Sequence, residues 1–223
     1  MADLIIKPSS GNSLVFQDEG GDPALTVGTT GNTTLAGTAN NLGTSTAGTF
    51  TSGITFPEHH VIQVKSSVFT GTFTVGSGSQ QDPEEWHFIG LSVDITPSST
   101  SNKILLMANV VHAASNDSFL TILRGGSTGL AGGASNNLAV PTSPGSRQPT
   151  FTGDGSVTNT GYQSVTQSIT FLDSPSTTSS TTYNVGASIH STSTLYINRT
   201  DTDNNAGWQP RGVSTLTAME IKG

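Results

Sequence analysis

Residues 24–56, ALTVGTTGNTTLAGTANNLGTSTAGTFTSGITF, decide how this chain is read. Leu25, Val27, Leu35, Leu42 and Phe50 recur at intervals of about seven or eight residues, with Gly and Thr between them, which suits one short strand and one tight turn per interval. Thr favours a pleated strand and Gly allows sharp turns, whereas both are poor helix formers. The stretch is also too poor in apolar bulk to fold alone. Five large side chains return far less on burial than the ordering of some thirty residues costs. Its low charge and regular apolar spacing are not those of a disordered segment. The expectation is therefore several copies wound together, pooling their apolar faces and pairing backbone between chains, most simply as a three-fold shaft.

Composition narrows the function. About three residues in ten are Ser or Thr while only 10% are charged, a balance far from average usage that fits a β-rich virion or extracellular surface. A net charge of −7, with Lys and Arg scattered singly from Lys7 to Lys222, argues against a nucleic-acid partner, since no basic cluster exists to neutralise phosphates. There is no cysteine, so neither disulfides nor thiolate metal sites hold the chain. The longest apolar run, Ile104–Ala108, is too short to span a bilayer, and Leu4–Ile6 is too short for a signal peptide. Neither a membrane nor a cofactor is expected.

Taken in order, residues 1–23 read as an arm followed by a hairpin, Ser13–Gln17 pairing with Pro23–Val27 around the Gly20-Gly21 turn. Residues 24–57 form the Gly- and Thr-rich trimeric shaft, and Pro57 interrupts its pattern. Residues 58–223 change texture to longer alternating runs: Val61–Val64, Phe69–Val75, Trp86–Ile95, Lys103–His112, Phe119–Leu123, Tyr162–Leu172, Thr182–His190, Thr194–Arg199 and Val213–Ile221. Lys103–His112 is apolar on both faces and reads as the central buried strand, and Trp86 reads as packing inside the sandwich. Residues 125–160, rich in Pro and Gly, read as a long loop that is functional or faces an oligomer partner. The fold class is thus all-β, an intertwined shaft of short strands followed by a jelly-roll-like β-sandwich head.

Several stretches resemble a known family. IIKPSSGNSLVFQDEGGDPALTVGTTGNTTLAGT (5–38) is similar to the N-terminal segment of tail-fibre-like virion proteins of marine and cyanobacterial phages. ITFPEHHVIQV (54–64) resembles their junction into the C-terminal domain, where a Gly often precedes the His and this chain has His59. SSTSNKILLMANV (98–110), ITFLDSPSTTSSTTYNV (169–185), LYINRTDTD (195–203) and STLTAMEIKG (214–223) resemble successive strands of their terminal domain. The resemblance implies a non-enzymatic, homotrimeric structural protein of the bacteriophage virion. Residues 1–23 would then grip another virion protein, and the head would meet the host surface, as in a tail fibre. A capsid decoration or vertex fibre, and a polysaccharide-degrading tailspike, are the alternative readings.

Chemical motifs are few. Gly125-Gly126-Ser127-Thr128-Gly129 matches a hydrolase elbow but lacks a helix-forming run behind it, and Asp173 and His190 would complete its order only by coincidence. Asp201-Thr202-Asp203-Asn204-Asn205 begins like a calcium loop, yet Ala206 and Gly212 stand where its Gly and bidentate Glu belong. His59 and His60, neighbours in an extended chain, cannot chelate one ion, although either placed on a three-fold axis would form a cluster from three copies. The expected reading for His60 is a half-buried position where shaft meets head. Asp82-Pro83-Glu84-Glu85 reads as a solvated loop, and the Asn-x-Ser/Thr matches at Asn32, Asn116 and Asn198 as by-products of composition. What remains is sugar contact: Trp208 and Tyr162 for stacking, with Asp201, Asp203 and Asn205 to bond hydroxyls.

Overall fold

A computed structural model describes residues 12–17, 19–27, 29, 33–35, 57–76, 85–114, 117–125, 136–139, 141–142, 145, 147–154, 161–190 and 194–223. Among them every regular element is a strand. The chain divides into two compact units, 1–54 and 55–223.

In the first unit, β1 (Leu14–Gln17), β2 (Pro23–Val27) and β3 (Thr33–Leu35) form a three-stranded antiparallel sheet in the order β1-β2-β3. The expected hairpin is present, and Gly21 supplies the positive φ of 87° at its turn. Register sets Leu14 opposite Val27, Phe16 opposite Leu25, and Leu25 opposite Leu35. Because side chains alternate along a strand, Leu14, Phe16, Leu25 and Val27 share one face while Val15 and Thr26 share the other. Phe16 is 46% exposed on this face, while Leu14, Leu25 and Val27 are half-buried. Of the shaft positions, Leu25, Val27 and Leu35 lie in this sheet; Leu42 and Phe50 lie outside the described residues.

The second unit is a sandwich of two antiparallel sheets. Its strands are β4 (Val61–Phe69), β5 (Phe73–Gly76), β6 (His87–Ile95), β7 (Lys103–Ala114), β8 (Ser118–Arg124), β9 (Thr152–Asp154), β10 (Val165–Asp173), β11 (Thr181–Ile189), β12 (Thr194–Ile197) and β13 (Ser214–Ile221). β13 pairs with β7 along Lys103–Asn109, and β12 continues along the same edge at His112–Ala114. β4 and β5 likewise lie end to end against β13 and β12. Counting each such couple as one row gives eight rows: first-eighth-third-sixth in the larger sheet, second-seventh-fourth-fifth in the smaller. That order is a jelly roll, with two Greek keys closed face to face.

Alternation builds the core. Ile89, Leu91, Val93 and Ile95 of β6 face Ile104, Leu106, Ala108 and Val110 of β7, while Ser92 and Asp94 point to water. Three expectations need correction. Phe69–Val75 is not one strand but breaks between Phe69 and Phe73, where Asn198 takes up the carbonyls of Phe69 and Gly71. β7 is central but covered on both sides only towards its end at Val111–Ala113, whereas Met107 on the outer side is 40% exposed. Trp86 is buried, yet it packs with Leu123, Phe88 and Phe119 apart from the main core, since strand alternation turns Trp86 and Phe88 away from Ile89 and Leu91. Gly186 lies beside this cluster, where a Cβ would stand 2.7 Å from Leu123 Cδ1.

The described parts of 125–160 hold one three-residue strand, β9, and one isolated bridge at Asn137, and are otherwise irregular. Asn137, buried against β8, accepts a hydrogen bond from Thr121 Oγ1 (2.5 Å) and donates one to the Pro149 carbonyl (2.7 Å). Together with β9, this segment covers the edge of the smaller sheet.

His59 adopts φ +65° in the turn before β4. Its N–H donates to the Lys222 carbonyl (2.8 Å), and Lys222 N–H donates to the His60 carbonyl (2.9 Å), so the turn is pinned to the end of the last strand. His60 is exposed rather than half-buried, because the turn lies at the rim of the sheet. A side chain in the left-handed region is strained by about 1–2 kcal/mol, which explains why Gly suits this position. His59→Gly is expected to raise stability by about 0.5–1 kcal/mol once the extra entropy of an unfolded Gly is subtracted. Thermal unfolding checks this, and a lower midpoint would contradict it.

Candidate functional site

The interruption between β12 and β13 creates the candidate site. Residues 198–213 leave the row, travel across the outward face of the larger sheet and return to continue the same row. Asn198 closes the stem with a left-handed φ of 58°, which an Asn tolerates better than most residues. Its N–H donates to the Val111 carbonyl (2.8 Å), and its Nδ2 donates to the carbonyls of Phe69 (2.7 Å) and Gly71 (2.8 Å). Its Oδ1 accepts from Ser214 Oγ (2.7 Å), which itself accepts from Val111 N–H (3.0 Å). On the return limb Gly212 N–H donates to the Asn198 carbonyl (3.0 Å). A Cβ at Gly212 would stand 2.4 Å from Val111 Cγ1, so only Gly lets the limb cross β7 this closely.

The interior of the loop is held by charge. Asp203 Oδ2 accepts from Arg211 Nη2 (2.6 Å) and faces Arg199 Nη1 at 3.8 Å. The Arg199 guanidinium lies 4.3 Å over the Tyr196 ring, a cation–π contact, and also donates to Thr74 Oγ1 (3.2 Å). Burial, reinforced by a hydrogen bond to Asp201, holds the Tyr196 phenol above its ordinary pKa. Towards the tip, Asn204 N–H donates to Gln209 Oε1 (2.5 Å) and Gln209 N–H to the Ala206 carbonyl (2.9 Å). Thr202 N–H donates to the Gly161 carbonyl (2.8 Å), which ties the loop to the residue before Tyr162.

Trp208 is therefore carried 73% exposed on a braced loop, and Tyr162 is 47% exposed on the segment the loop is tied to. An indole so placed presents an apolar ring face and a polar N–H to solvent. The acids fare differently from expectation. The Asp203 carboxylate is taken by two arginines and Asp201 is engaged with Tyr196, whereas Asn205, at φ +56°, is exposed and able to bond a hydroxyl. The loop thus lacks the free carboxylates that the calcium reading needs. Sequence reading missed Arg199, Arg211 and Tyr196 as the frame; the four-residue spacing of Arg199 and Asp203 was the available sign.

The remaining motifs do not assemble into sites. Asp173 contacts Tyr183 near the start of β11, whereas His190 follows its far end beside Asp117. Seven residues of strand separate these two places by roughly 23 Å, so they cannot act on one atom. Residues 126–129 and 82–84, with Asn32 and Asn116, lie outside the described residues. Asn198 is fully buried and bonded, which precludes its modification. His59 and His60 are both exposed at the rim, and a three-fold cluster of either would require further copies of the chain.

No family matches the chain, and no curated protein matches it. Among solved structures it is similar to a chain in a structure of infectious bursal disease virus, Gx strain, at 12% identity and a TM-score of 0.30. That match covers 73% of this chain and 39% of the viral one.

Proposed function

We propose that the protein is a non-enzymatic virion fibre component: a homotrimer, attached through residues 1–23 to another virion protein, whose head binds host-surface glycan through the 198–213 loop. The observation that carries the adhesive part is Trp208, exposed on a loop braced at its stem, middle and tip. Indole and phenol rings stack on the apolar faces of sugars, and Trp208 and Tyr162 are the two rings available. Asn205 then serves the hydroxyls in place of the occupied aspartates. The resemblance of several segments to phage tail-fibre-like proteins supports the virion placement. Phe16, exposed on the apolar face of the first sheet, supports association with further copies. Three weak sites on one stalk would give multivalent attachment without any single tight contact.

Trp208→Ala tests the reading directly. Removing a central aromatic anchor is expected to weaken single-site glycan binding about 30-fold, the equivalent of about 2 kcal/mol. The thermal midpoint should move by no more than about 2 °C, because the side chain is exposed. Glycan-array titration followed by isothermal calorimetry reads the affinity, and thermal unfolding reads the midpoint. Binding equal to that of the parent would refute a role for this loop.

A further inference from the structure

The outward face of the larger sheet carries a second unexplained feature. Register aligns Val64, Met219, Leu105 and Leu172 in one row across β4, β13, β7 and β10. Val64 is 53% and Leu172 47% exposed, and Met107 stands in the next row. β7 reads as a strand apolar on both sides, the pattern of strands covered on both faces. Among the described residues its outer side is covered only towards its far end, where the 198–213 loop crosses Val111 and Ala113 is buried.

The row also has a position. It lies at the end of the sheet where the chain arrives through Pro57–His60, since Ile221 pairs with Val61 and Lys222 donates to His60. Further along the same face the rows turn mainly polar, with Met107 among Ser66, Thr217 and Thr170, then Val68 among Thr215, Asn109 and Ser168, before the loop that carries Trp208. Copies joined through the residues before Pro57 would be concentrated at the apolar end and least crowded at the polar one. The row is aliphatic, so it offers no ring for a sugar.

We infer that this row packs against a second copy of the chain, making it a head-to-head contact inside the oligomer and leaving the Trp208 loop at the distal, ligand-facing end. The inference rests on the oligomeric reading above. The test uses the absence of native cysteine. Val64→Cys and Leu172→Cys are made singly in the full chain, with Ser92→Cys, exposed on the other sheet, as reference. Because thiol alkylation tracks access, both test thiols are expected to react about 10-fold or more slowly than the reference when light scattering reports a trimer. A trimer in which all three thiols react alike would overturn the contact but leave the oligomer standing. A monomer at every concentration would overturn both. Slow reaction that persists after dilution to monomer would mean that the chain covers the row itself, which also overturns the inference.

Discussion

Glu220→Ala is expected to lower the thermal midpoint by roughly 8–16 °C, the consequence of losing about 4 kcal/mol in a chain of this size. Glu220 is fully buried near the end of β13 and accepts hydrogen bonds from Ser98 N–H (2.6 Å), Ser98 Oγ (2.8 Å), Asn102 Nδ2 (2.5 Å) and Gln63 Nε2 (2.8 Å). The single carboxylate therefore joins β4, β13 and the connection between β6 and β7, which passes from one sheet to the other. Alanine would leave those donors without their acceptor in a space closed to water. Burial pushes the acid up, but the donors outweigh it and hold its pKa below the usual carboxylate value. Its stabilisation is thus complete above the unfolded value of about 4.3 and fades as pH falls through the lower folded value. Glu220→Gln should cost less than Ala at neutral pH, and the gap between parent and Gln should narrow below about pH 4. Denaturant titrations across pH would contradict this if the gap widened in acid.

Asp173→Ala is the second large loss expected, on the order of 3 kcal/mol at the denaturation midpoint. Asp173 of β10 lies in the larger sheet, whereas Arg124 of β8 and Tyr183 of β11 lie in the smaller one. The carboxylate is 3% exposed, pairs with the Arg124 guanidinium through Oδ1 and accepts from the Tyr183 hydroxyl at 2.6 Å through Oδ2. Burial, then the hydrogen bond to Asp173, pushes the Tyr183 phenol well above its ordinary value. Removing only the acid strands a buried hydroxyl and a half-buried cation. Replacing the group together, as Arg124→Met, Asp173→Leu and Tyr183→Phe, is expected to recover most of the loss, because apolar residues of similar volume need no partner. A single variant within about 1 kcal/mol of the parent would show that the clamp contributes little.

These two acids mark the boundary of what the sequence made legible. The alternating runs Trp86–Ile95 and Val213–Ile221 announce strands because half of each is apolar at period two, and their number and turn spacing already implied a jelly roll. Nothing local distinguishes Glu220 or Asp173 from a surface acid, since apart from Tyr183, ten positions from Asp173, the groups that hold them come from about 50 to 160 positions away in the chain. Likewise Thr194–Arg199 and Val213–Ile221 read as separate strands. That they form one interrupted row, with 198–213 thrown outward, depends on both finding the same edge of β7. Trp208 and Tyr162 were visible as a candidate pair because both are aromatic residues in polar surroundings. The occupation of Asp203 by Arg199 and Arg211 was not, since it follows from the closure of the loop.

The central proposal is that the N-terminal sheet, whose face of Leu14, Phe16, Leu25 and Val27 leaves Phe16 exposed, is completed by other copies of the same chain. Multi-angle light scattering of the intact protein at micromolar concentration tests it most directly. The expected mass is about three times 22.9 kDa; a single species at 22.9 kDa would contradict the account.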